Sequence, residues 1–198
     1  MCSACQGQFT SVSPACYGCH SDSPNGVTCA NCQKNTLLQA VRVATAYQGI
    51  AKDLVWKLKF GGTQDAARAM AAQMLPLINK NTQSDLLIVP VPTATTRVRQ
   101  RGYDQARLLA RELAWRTRLP YVDCLARHGQ THQVGANREA RLQQLSGAFR
   151  VTKGGLVHGA HIILIDDVLT TGATLSGAAE VLMEARAGRV EAVVFARA

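Results

Sequence analysis

Two adjacent carboxylates and a short turn of small residues form the stretch of this chain with the clearest chemistry. Asp166 and Asp167 follow residues 162–165, an apolar and mostly β-branched run that predicts a strand buried on both faces of a parallel sheet. Residues 170–174 form a turn around one glycine and lead into a helical pattern. Backbone N–H groups in such a turn bind anions, and carboxylates accept hydrogen bonds from hydroxyls. We therefore expect a ligand such as a ribose phosphate, although acids that only cap the helix dipole are the simpler alternative.

Six of the seven cysteines lie in three CxxC pairs within the first 32 residues. Residues 1–36 are otherwise rich in small polar side chains and cannot build a core of their own. Two CxxC pairs supply four thiolates to a tetrahedral zinc, which takes the place of a core. The last two pairs enclose nine residues, with residues 24–26 as a hairpin tip, and the pair at Cys2 and Cys5 is the alternative. The predicted zinc ligands are Cys16, Cys19, Cys29 and Cys32.

An arginine-rich stretch follows a second predicted strand, residues 86–89. Pro90 and Pro92 must end that strand, because each proline lacks a donor for the sheet. We expect the next arginines to lie in a loop at the same sheet edge as the acids, where guanidinium groups could bind a diphosphate in bidentate fashion. A solvated basic surface is the alternative. The residues predicted to contact diphosphate are Val91, Pro92, Thr93, Arg97, Arg99 and Arg101.

The remaining chain predicts an alternation of strands and helices around these residues. Strands are expected at residues 41–47 and 189–196, and helices at 50–60, 64–78 and from about 101 to 117. The lysines at 52, 57 and 59 are expected to form a solvated helix face. Residues 126–146 are polar and predict a mobile loop over the site, with a disordered linker as the alternative. Cys124 is expected to be a small buried residue.

Length and composition set broad limits. The 198 residues suit one domain plus a small module, and 47% hydrophobic residues suffice for a packed core. A net charge of +9 suits phosphate ligands, whether small molecules or nucleic acid. No apolar run of 18 residues and no secretory leader is present, so neither a membrane span nor secretion is expected. Paired cysteines without a leader suggest reduced thiols in the cytoplasm.

The stretch of strand, paired acids and threonine-rich turn resembles the phosphoribosyl-diphosphate (PRPP) motif of type I phosphoribosyltransferases. In that family the two acids hold the ribose 2′- and 3′-hydroxyls, and the turn wraps the 5′-phosphate. By position, Asp166 and Asp167 take the first role. The residues that take the second role are Thr170, Thr171, Gly172, Ala173 and Thr174.

Other motifs are similar to the ComF/GntX branch of this family. The Pro-Val-Pro sequence at residues 90–92 and Arg-Gly-Tyr-Asp-Gln-Ala at 101–106 resemble that branch, as do the N-terminal CxxC pairs and Leu-Lys-Phe-Gly-Gly at 58–62. The loop at 130–149 is similar to its variable segment. Two residues depart from the pattern, since Asp104 and Gln144 stand where asparagine is usual.

The resemblance implies an α/β fold of the type I phosphoribosyltransferase class. This is a Rossmann-like parallel sheet flanked by helices at residues 37–198, preceded by a zinc-ribbon-like segment at 1–36. It also implies binding of Mg²⁺-PRPP, transfer of the phosphoribosyl group to an unidentified acceptor, and a role in DNA uptake during natural competence. Asp166, Asp167 and Arg101 would be catalytic.

A second functional class stays open. The same pocket would sense PRPP or a nucleotide without catalysis, or the basic surface would bind single-stranded DNA. Besides PRPP, the candidate partners are single-stranded DNA, a competence helicase-like protein and a second copy of the chain.

Overall fold

The computed structural model describes residues 7–61, 65–78, 85–127 and 148–198. Three residues singled out in the sequence, Cys2, Cys5 and Gln144, lie outside these ranges. Residues 128–147, which make up most of the predicted mobile loop, lie outside them as well.

Four parallel strands form the central sheet, and two short antiparallel strands form a second, smaller one. The strands are β1 (Ala40–Ala46), β2 (Leu86–Pro90), β3 (Leu125–Arg127), β4 (Phe149–Val151), β5 (His161–Leu169) and β6 (Arg189–Arg197). The order across the large sheet is β1-β6-β5-β2, and β3 pairs with β4. The predicted α/β fold with a parallel sheet is confirmed.

Six helices connect or flank the strands within the described residues. They are α1 (Gly49–Phe60), α2 (Asp65–Met74), α3 (Thr95–Arg101), α4 (Gln105–Thr117), α5 (Gly154–Val157) and α6 (Ala173–Glu184). Short 3₁₀ turns occur at Pro24–Gly26, Cys32–Lys34 and Leu75–Leu77. None of the described helices combines the length and the apolar character that crossing a membrane requires.

Alternate residues of β5 face two separate layers, as the two-residue period of a strand requires. Ile162 and Leu164 pack with α6 and the small sheet. Ile163 and Ile165 pack with α1, α2 and α4 on the opposite face. The run at residues 162–165 is therefore buried on both faces, as its composition predicts.

The cysteine-containing segment has almost no core of its own. Among residues 7–37 only Cys16, Gly26 and Thr28 are buried. The segment instead packs on the sheet, with the ring of Phe9 meeting that of Phe195 edge-on at 6.1 Å. The 3₁₀ turn at Pro24–Gly26 occupies the expected hairpin tip, and the flanking chain makes single β-bridges rather than a ribbon of paired strands.

Three element assignments differ from the sequence predictions. The helix expected at residues 64–78 gives way to a 3₁₀ turn at Leu75–Leu77, where Pro76 cannot continue the α-helical hydrogen bonds. The arginines expected in a loop instead lie in α3, which ends at Gly102 in the left-handed conformation. Ala126 and Arg127, assigned to the mobile loop, belong to β3.

Candidate functional site: an acid pair beside an anion-binding turn

The acid pair lies where β5 extends beyond its neighbour β2. The pairing of these strands ends at Pro90 and Ile165, whereas β5 continues along β6 as far as Leu169. Asp166 and Asp167 therefore belong to the strand itself, three and two residues before its end, rather than following it as the sequence suggested. Their position past the end of β2 places them at the carboxyl edge of the sheet, where parallel α/β sheets bind ligands in a crevice.

The two carboxyl groups are strongly coupled. Asp167 is 6% exposed, and its Oδ2 lies 2.6 Å from the Nζ of Lys59. Asp166 accepts a hydrogen bond from the Asp167 amide at 2.8 Å. Burial, and then the negative charge of Asp167, raise the pKa of Asp166 well above its ordinary value. The pair therefore favours donors or a cation that would share its charge.

Lys59 is a site residue that the sequence interpretation missed. Lys52 and Lys57 are exposed, as predicted, but Lys59 is partly buried against Asp167, so the prediction of a solvated face is wrong for this lysine. The last turn of α1 is fixed near the acids because Tyr103 donates its hydroxyl to the carbonyl of Leu58. The similarity of residues 58–62 to the ComF/GntX pattern was the sequence feature that could have identified Lys59 as a site residue.

The turn after β5 presents backbone donors. Gly172 has φ +76° and immediately precedes α6, and no side chain caps the start of that helix. The Ala173 N–H makes one long hydrogen bond, 3.5 Å, to the Thr171 hydroxyl. A ligand could compete for this N–H and bind the others of the first helical turn, and the helix dipole would reinforce that binding. Thr170 is exposed, and Thr171 and Thr174 are partly exposed, so their hydroxyls can contribute. The structure thus brings the predicted anion-binding turn next to the acid pair.

The three arginines of α3 do not face the same direction. Residues four apart in a helix share a face, so Arg97 and Arg101 lie on one side and Arg99 lies on another. Arg97 and Arg99 are exposed, and Arg101 is partly buried. The guanidinium of Arg101 stacks over the ring of Phe60 at 5.1 Å. Arg101 therefore contacts the C-terminal end of α1.

A further cation, Arg127 on β3, links α3 to the acid pair. Burial, and then the charge of Arg97, lower the pKa of Arg127, whereas Asp166 raises it. Arg127 therefore lies within electrostatic range of both residues, and its guanidinium stacks on the ring of Phe149 at 5.3 Å. The sequence analysis placed Arg127 in a loop because β3 is only three residues long.

The loop between β2 and α3 is held by Asp104. This carboxylate accepts hydrogen bonds from the amide of Thr93 at 2.9 Å and from its hydroxyl at 3.2 Å. Val91 donates its amide to Ile165 at 3.0 Å, and both Val91 and Pro92 are buried. Contacts from these loop residues to a diphosphate remain a prediction, and the two donors of Thr93 are already bound to Asp104.

Asp104 is accordingly a helix cap. It precedes α4 and accepts from the amides of Ala106 and Arg107 at 3.0 and 3.3 Å. Compared with the asparagine that is usual at this position, Asp104 therefore adds a hydrogen-bond acceptor to a buried network. It does not add a free negative charge near the crevice.

The four cysteines predicted to bind zinc lie together. The sulfur atoms of Cys16, Cys19, Cys29 and Cys32 are all within 4.8 Å of one another. The Cys19 and Cys29 sulfurs are 3.8 Å apart, which equals the roughly 3.8 Å expected between thiolates bound tetrahedrally at about 2.3 Å from zinc. The donor set and its spacing fit Zn²⁺.

Thiol acidity within this cluster is uneven. Burial would raise the pKa of Cys16, but hydrogen bonds from backbone amides outweigh burial and lower it to about 6. Hydrogen bonding to Cys29, followed by burial, raises the pKa of Cys32 to about 12. Four neighbouring thiols cannot all ionise without a cation, so the arrangement suits a bound metal.

Cys124 lies outside this cluster and is fully buried, which confirms the prediction that it is a small core residue. Burial raises the pKa of its thiol to about 11.

A cavity of about 620 Å³ lies against the outer edge of β1, away from the acid pair. Its lining includes Val43, Leu77 and residues 11–15, which carry no acid or thiol. The acid pair and the four predicted zinc ligands therefore lie outside this cavity.

Comparison with known proteins decides the family. Residues 69–198, about two thirds of the chain, match the family described as phosphoribosyl transferase domain. The chain belongs to the phosphoribosyltransferase domain family. In this phosphoribosyltransferase-family protein, the match covers the acid pair, the anion-binding turn and α3, and the cysteine cluster lies before it.

Curated relatives carry names that refer to competence. Competence protein ComFC of Bacillus subtilis is 28% identical over 93% of this chain and 78% of its own length. Competence protein F of Haemophilus influenzae is 28% identical over 100% of this chain and 90% of its own length. The predicted relationship to the ComF branch is confirmed.

Solved structures to which the chain is similar are more distant than these relatives. The glutamine PRPP amidotransferase of Bacillus subtilis, solved with ADP and GMP, is 18% identical, with a TM-score of 0.45 over 69% of this chain and 30% of that chain. An allosteric regulatory enzyme of purine biosynthesis has a TM-score of 0.42 and 19% identity over 65% of this chain. The chain spans only 25% of that second protein.

Proposed function

We propose that this protein binds Mg²⁺-PRPP in the crevice at the end of β5 and transfers its phosphoribosyl group to an acceptor. The observation that carries the proposal is the convergence of an acid pair, uncapped backbone donors and cations from two elements. Asp166 and Asp167 offer acceptors for the ribose diol, and the turn at Gly172 offers donors for the 5′-phosphate. Arg97 and Arg127 supply positive charge for the diphosphate.

The residues fit Mg²⁺ as well as the sugar. Carboxylate oxygens are the protein ligands that Mg²⁺ prefers, and the raised pKa of Asp166 indicates that burial and the charge of Asp167 outweigh the compensation from Lys59. When bound with the substrate, Mg²⁺ would neutralise charge on the diphosphate. Lys59 balances part of the negative charge of the acid pair before the ligand arrives.

Transfer requires that the bond between C1′ and the diphosphate oxygen breaks with its electron pair leaving on the diphosphate. The acceptor then forms a bond to C1′ and loses its proton. The sugar gains positive character during this exchange, so the nearby carboxylates stabilise it. Guanidinium groups of Arg97 and Arg127 stabilise the departing anion by charge-assisted hydrogen bonds.

Cellular context for the proposal comes from the relatives. Their names refer to competence and, for YhgH of Salmonella typhi, to DNA utilization. We place this protein in the cytoplasm, acting on a nucleotide or nucleic-acid component during DNA uptake. Pyrophosphate release during incubation with radiolabelled PRPP and a panel of bases and amines would identify the acceptor.

A matched set of arginine variants tests the assignment of the diphosphate site. Arg97→Ala and Arg127→Ala should each weaken PRPP about tenfold or more and leave ribose 5-phosphate nearly unchanged, since only PRPP carries the diphosphate. Arg68→Ala removes an exposed arginine of α2 that pairs with Asp65, and it controls for the lost charge. Equal affinities for PRPP in all four proteins, measured by calorimetry with Mg²⁺, would contradict the assignment.

A second candidate function is binding of single-stranded nucleic acid beside the crevice. Trp56 and Phe60 are 58% and 65% exposed, and their rings lie 6.2 Å apart on α1. Arg101 stacks on Phe60, and Lys52 and Lys57 are exposed on the same helix. Exposed aromatic rings with flanking cations stack bases and bind phosphates without sequence preference.

One variant distinguishes single-stranded DNA binding from PRPP binding. Trp56→Ala should weaken single-stranded DNA about tenfold or more, because stacking contributes on the order of 1–3 kcal/mol per base, and PRPP affinity should not change. Trp115→Ala, which removes another exposed tryptophan from α4, is the control. Unchanged DNA affinity after Trp56→Ala, measured by fluorescence anisotropy at fixed salt, would exclude this surface.

A further inference from the structure

The cysteine cluster touches the anion-binding turn through one side chain, Tyr17. This tyrosine lies between Cys16 and Cys19, which form the first of the two CxxC pairs in the cluster. Its hydroxyl donates to the carbonyl of Gly172 at 2.8 Å and lies 2.9 Å from the hydroxyl of Ser176. Since its single proton is given to Gly172, Ser176 must donate to Tyr17. The contact joins residues 155 positions apart in the chain.

Tyr17 fixes the orientation of one peptide group in the turn. The carbonyl of Gly172 also accepts from the amide of Ser176 at 3.0 Å, so both of its lone pairs are used. In a trans peptide the carbonyl and the following N–H point in opposite directions. Holding the Gly172 carbonyl toward Tyr17 therefore directs the Ala173 N–H to the other side of the turn.

The tyrosine ring also packs directly on the glycine. A Cβ atom placed on Gly172 would lie 2.1 Å from the Tyr17 hydroxyl oxygen and 2.7 Å from two ring carbons. With φ at +76°, Gly172 both adopts a conformation that favours glycine and leaves room for the ring. A larger residue at 172 would displace Tyr17 as well as obstruct a phosphate.

The cysteine cluster would hold Tyr17 in place once it binds a metal. The knuckle around it contains one buried residue, Cys16, whose sulfur accepts the amide of Cys29 at 3.3 Å. With so little apolar burial, the conformation of the knuckle depends on the bond between the four sulfurs and a metal.

We propose that Tyr17 is a positioning residue for the 5′-phosphate, so that metal occupancy of the cysteine cluster sets the affinity of the crevice for ribose phosphates. This inference rests on the proposed function, because it assigns the turn at Gly172 to a phosphate. The metal then stabilises the binding site as well as the N-terminal segment, and loss of zinc lowers ligand affinity without any change at the acid pair.

Tyr17→Phe is the direct test, because it keeps the ring and removes both hydrogen bonds. Affinity for ribose 5-phosphate should fall about tenfold and affinity for pyrophosphate should not change, since the diphosphate contacts lie on other elements. Tyr121→Phe removes a tyrosine hydroxyl on the opposite face of the sheet and should leave both affinities unchanged. Calorimetry with Mg²⁺ measures each ligand, and metal analysis verifies that both variants retain zinc.

Metal removal provides the second arm. Chelation should weaken ribose 5-phosphate in the wild type by a factor at least as large as in Tyr17→Phe. In the Tyr17→Phe variant, chelation should weaken ribose 5-phosphate binding much less than it does in the wild type, because the metal and the hydroxyl act through one contact. Hydrogen exchange at residues 169–176 should become faster in the wild type after chelation, while exchange in α4 stays constant.

The outcomes separate the inference from the function on which it rests. If the wild type binds PRPP but Tyr17→Phe binds ribose 5-phosphate equally well, the inference is overturned and the proposed function stands. Unchanged hydrogen exchange in the turn after chelation would overturn it as well. A wild type that binds none of PRPP, ribose 5-phosphate and pyrophosphate would overturn both.

Discussion

Replacing Asp104 by asparagine, the residue usual in the ComF/GntX pattern, should destabilise this protein. Asp104 is 6% exposed, and both of its carboxylate oxygens accept hydrogen bonds. One oxygen accepts the amides of Ala106 and Arg107, and the other accepts the amide of Thr93. Asparagine has one acceptor oxygen, so its NH₂ group must face a buried N–H donor.

The expected cost follows from this mismatch. A buried donor left without an acceptor costs about 1–3 kcal/mol, so we expect the free energy of unfolding to fall by about 2 kcal/mol. For a chain of this length each kcal/mol shifts the melting temperature by about 2–4 °C, so the melting temperature should fall by about 4–8 °C.

Denaturant unfolding followed by circular dichroism measures the change caused by Asp104→Asn. Asp65→Asn is the matched control, because Asp65 also begins a helix but its side chain is 79% exposed. That control should change the free energy of unfolding by less than about 1 kcal/mol. Coincident unfolding curves for Asp104→Asn and the wild type would refute the role of both oxygens.

Three further predictions concern charge and metal. Lys59→Met leaves the Asp167 carboxylate beside a second acid without its cation, so unfolding should be easier by about 1–3 kcal/mol at high pH. Because the pKa of Asp166 is raised, this loss should shrink as the pH falls and the pair takes up a proton, which denaturant titrations across a range of pH check. Burial would raise the pKa of Glu191, but His161, Arg42 and nearby charge outweigh burial and lower it to about 2. Its stabilisation, about 3 kcal/mol, should be complete above pH 4.5 and disappear toward pH 2, and Glu191→Gln should lack that step in the pH dependence of unfolding. Protein purified without chelator should contain about one zinc per chain, and metal analysis that finds none would contradict the assignment of the cysteine cluster.

Local sequence patterns were sufficient for the sheet and the cysteine cluster. The apolar runs that became β2 and β5 are continuous, which locates both strands, although β5 runs past the acids to Leu169 because it continues to pair with β6. The two CxxC pairs carry their chemistry in their spacing, and the structure brings all four sulfurs together.

Contacts between distant segments could not be predicted in the same way. Lys59, Arg127 and Tyr17 reach the site from α1, β3 and the cysteine segment, and nothing in their neighbours along the chain requires this. Helix α3 escaped prediction because its seven residues include one apolar side chain, Val98, and so show no helical period. The glycine at position 102, which takes the left-handed conformation at the end of α3, was the only local sequence feature that indicated a helix.

Calorimetric titration of Mg²⁺-PRPP into the wild type and Asp167→Asn tests the central claim most directly. Asp167→Asn keeps the shape of the side chain and removes the charge that would accept a ribose hydroxyl. We expect the wild type to bind and the variant to bind at least about tenfold more weakly, since a charge-assisted hydrogen bond contributes on the order of 1.5–3 kcal/mol. Equal affinity in the two folded proteins, or no binding to either, would contradict a PRPP site at the end of β5.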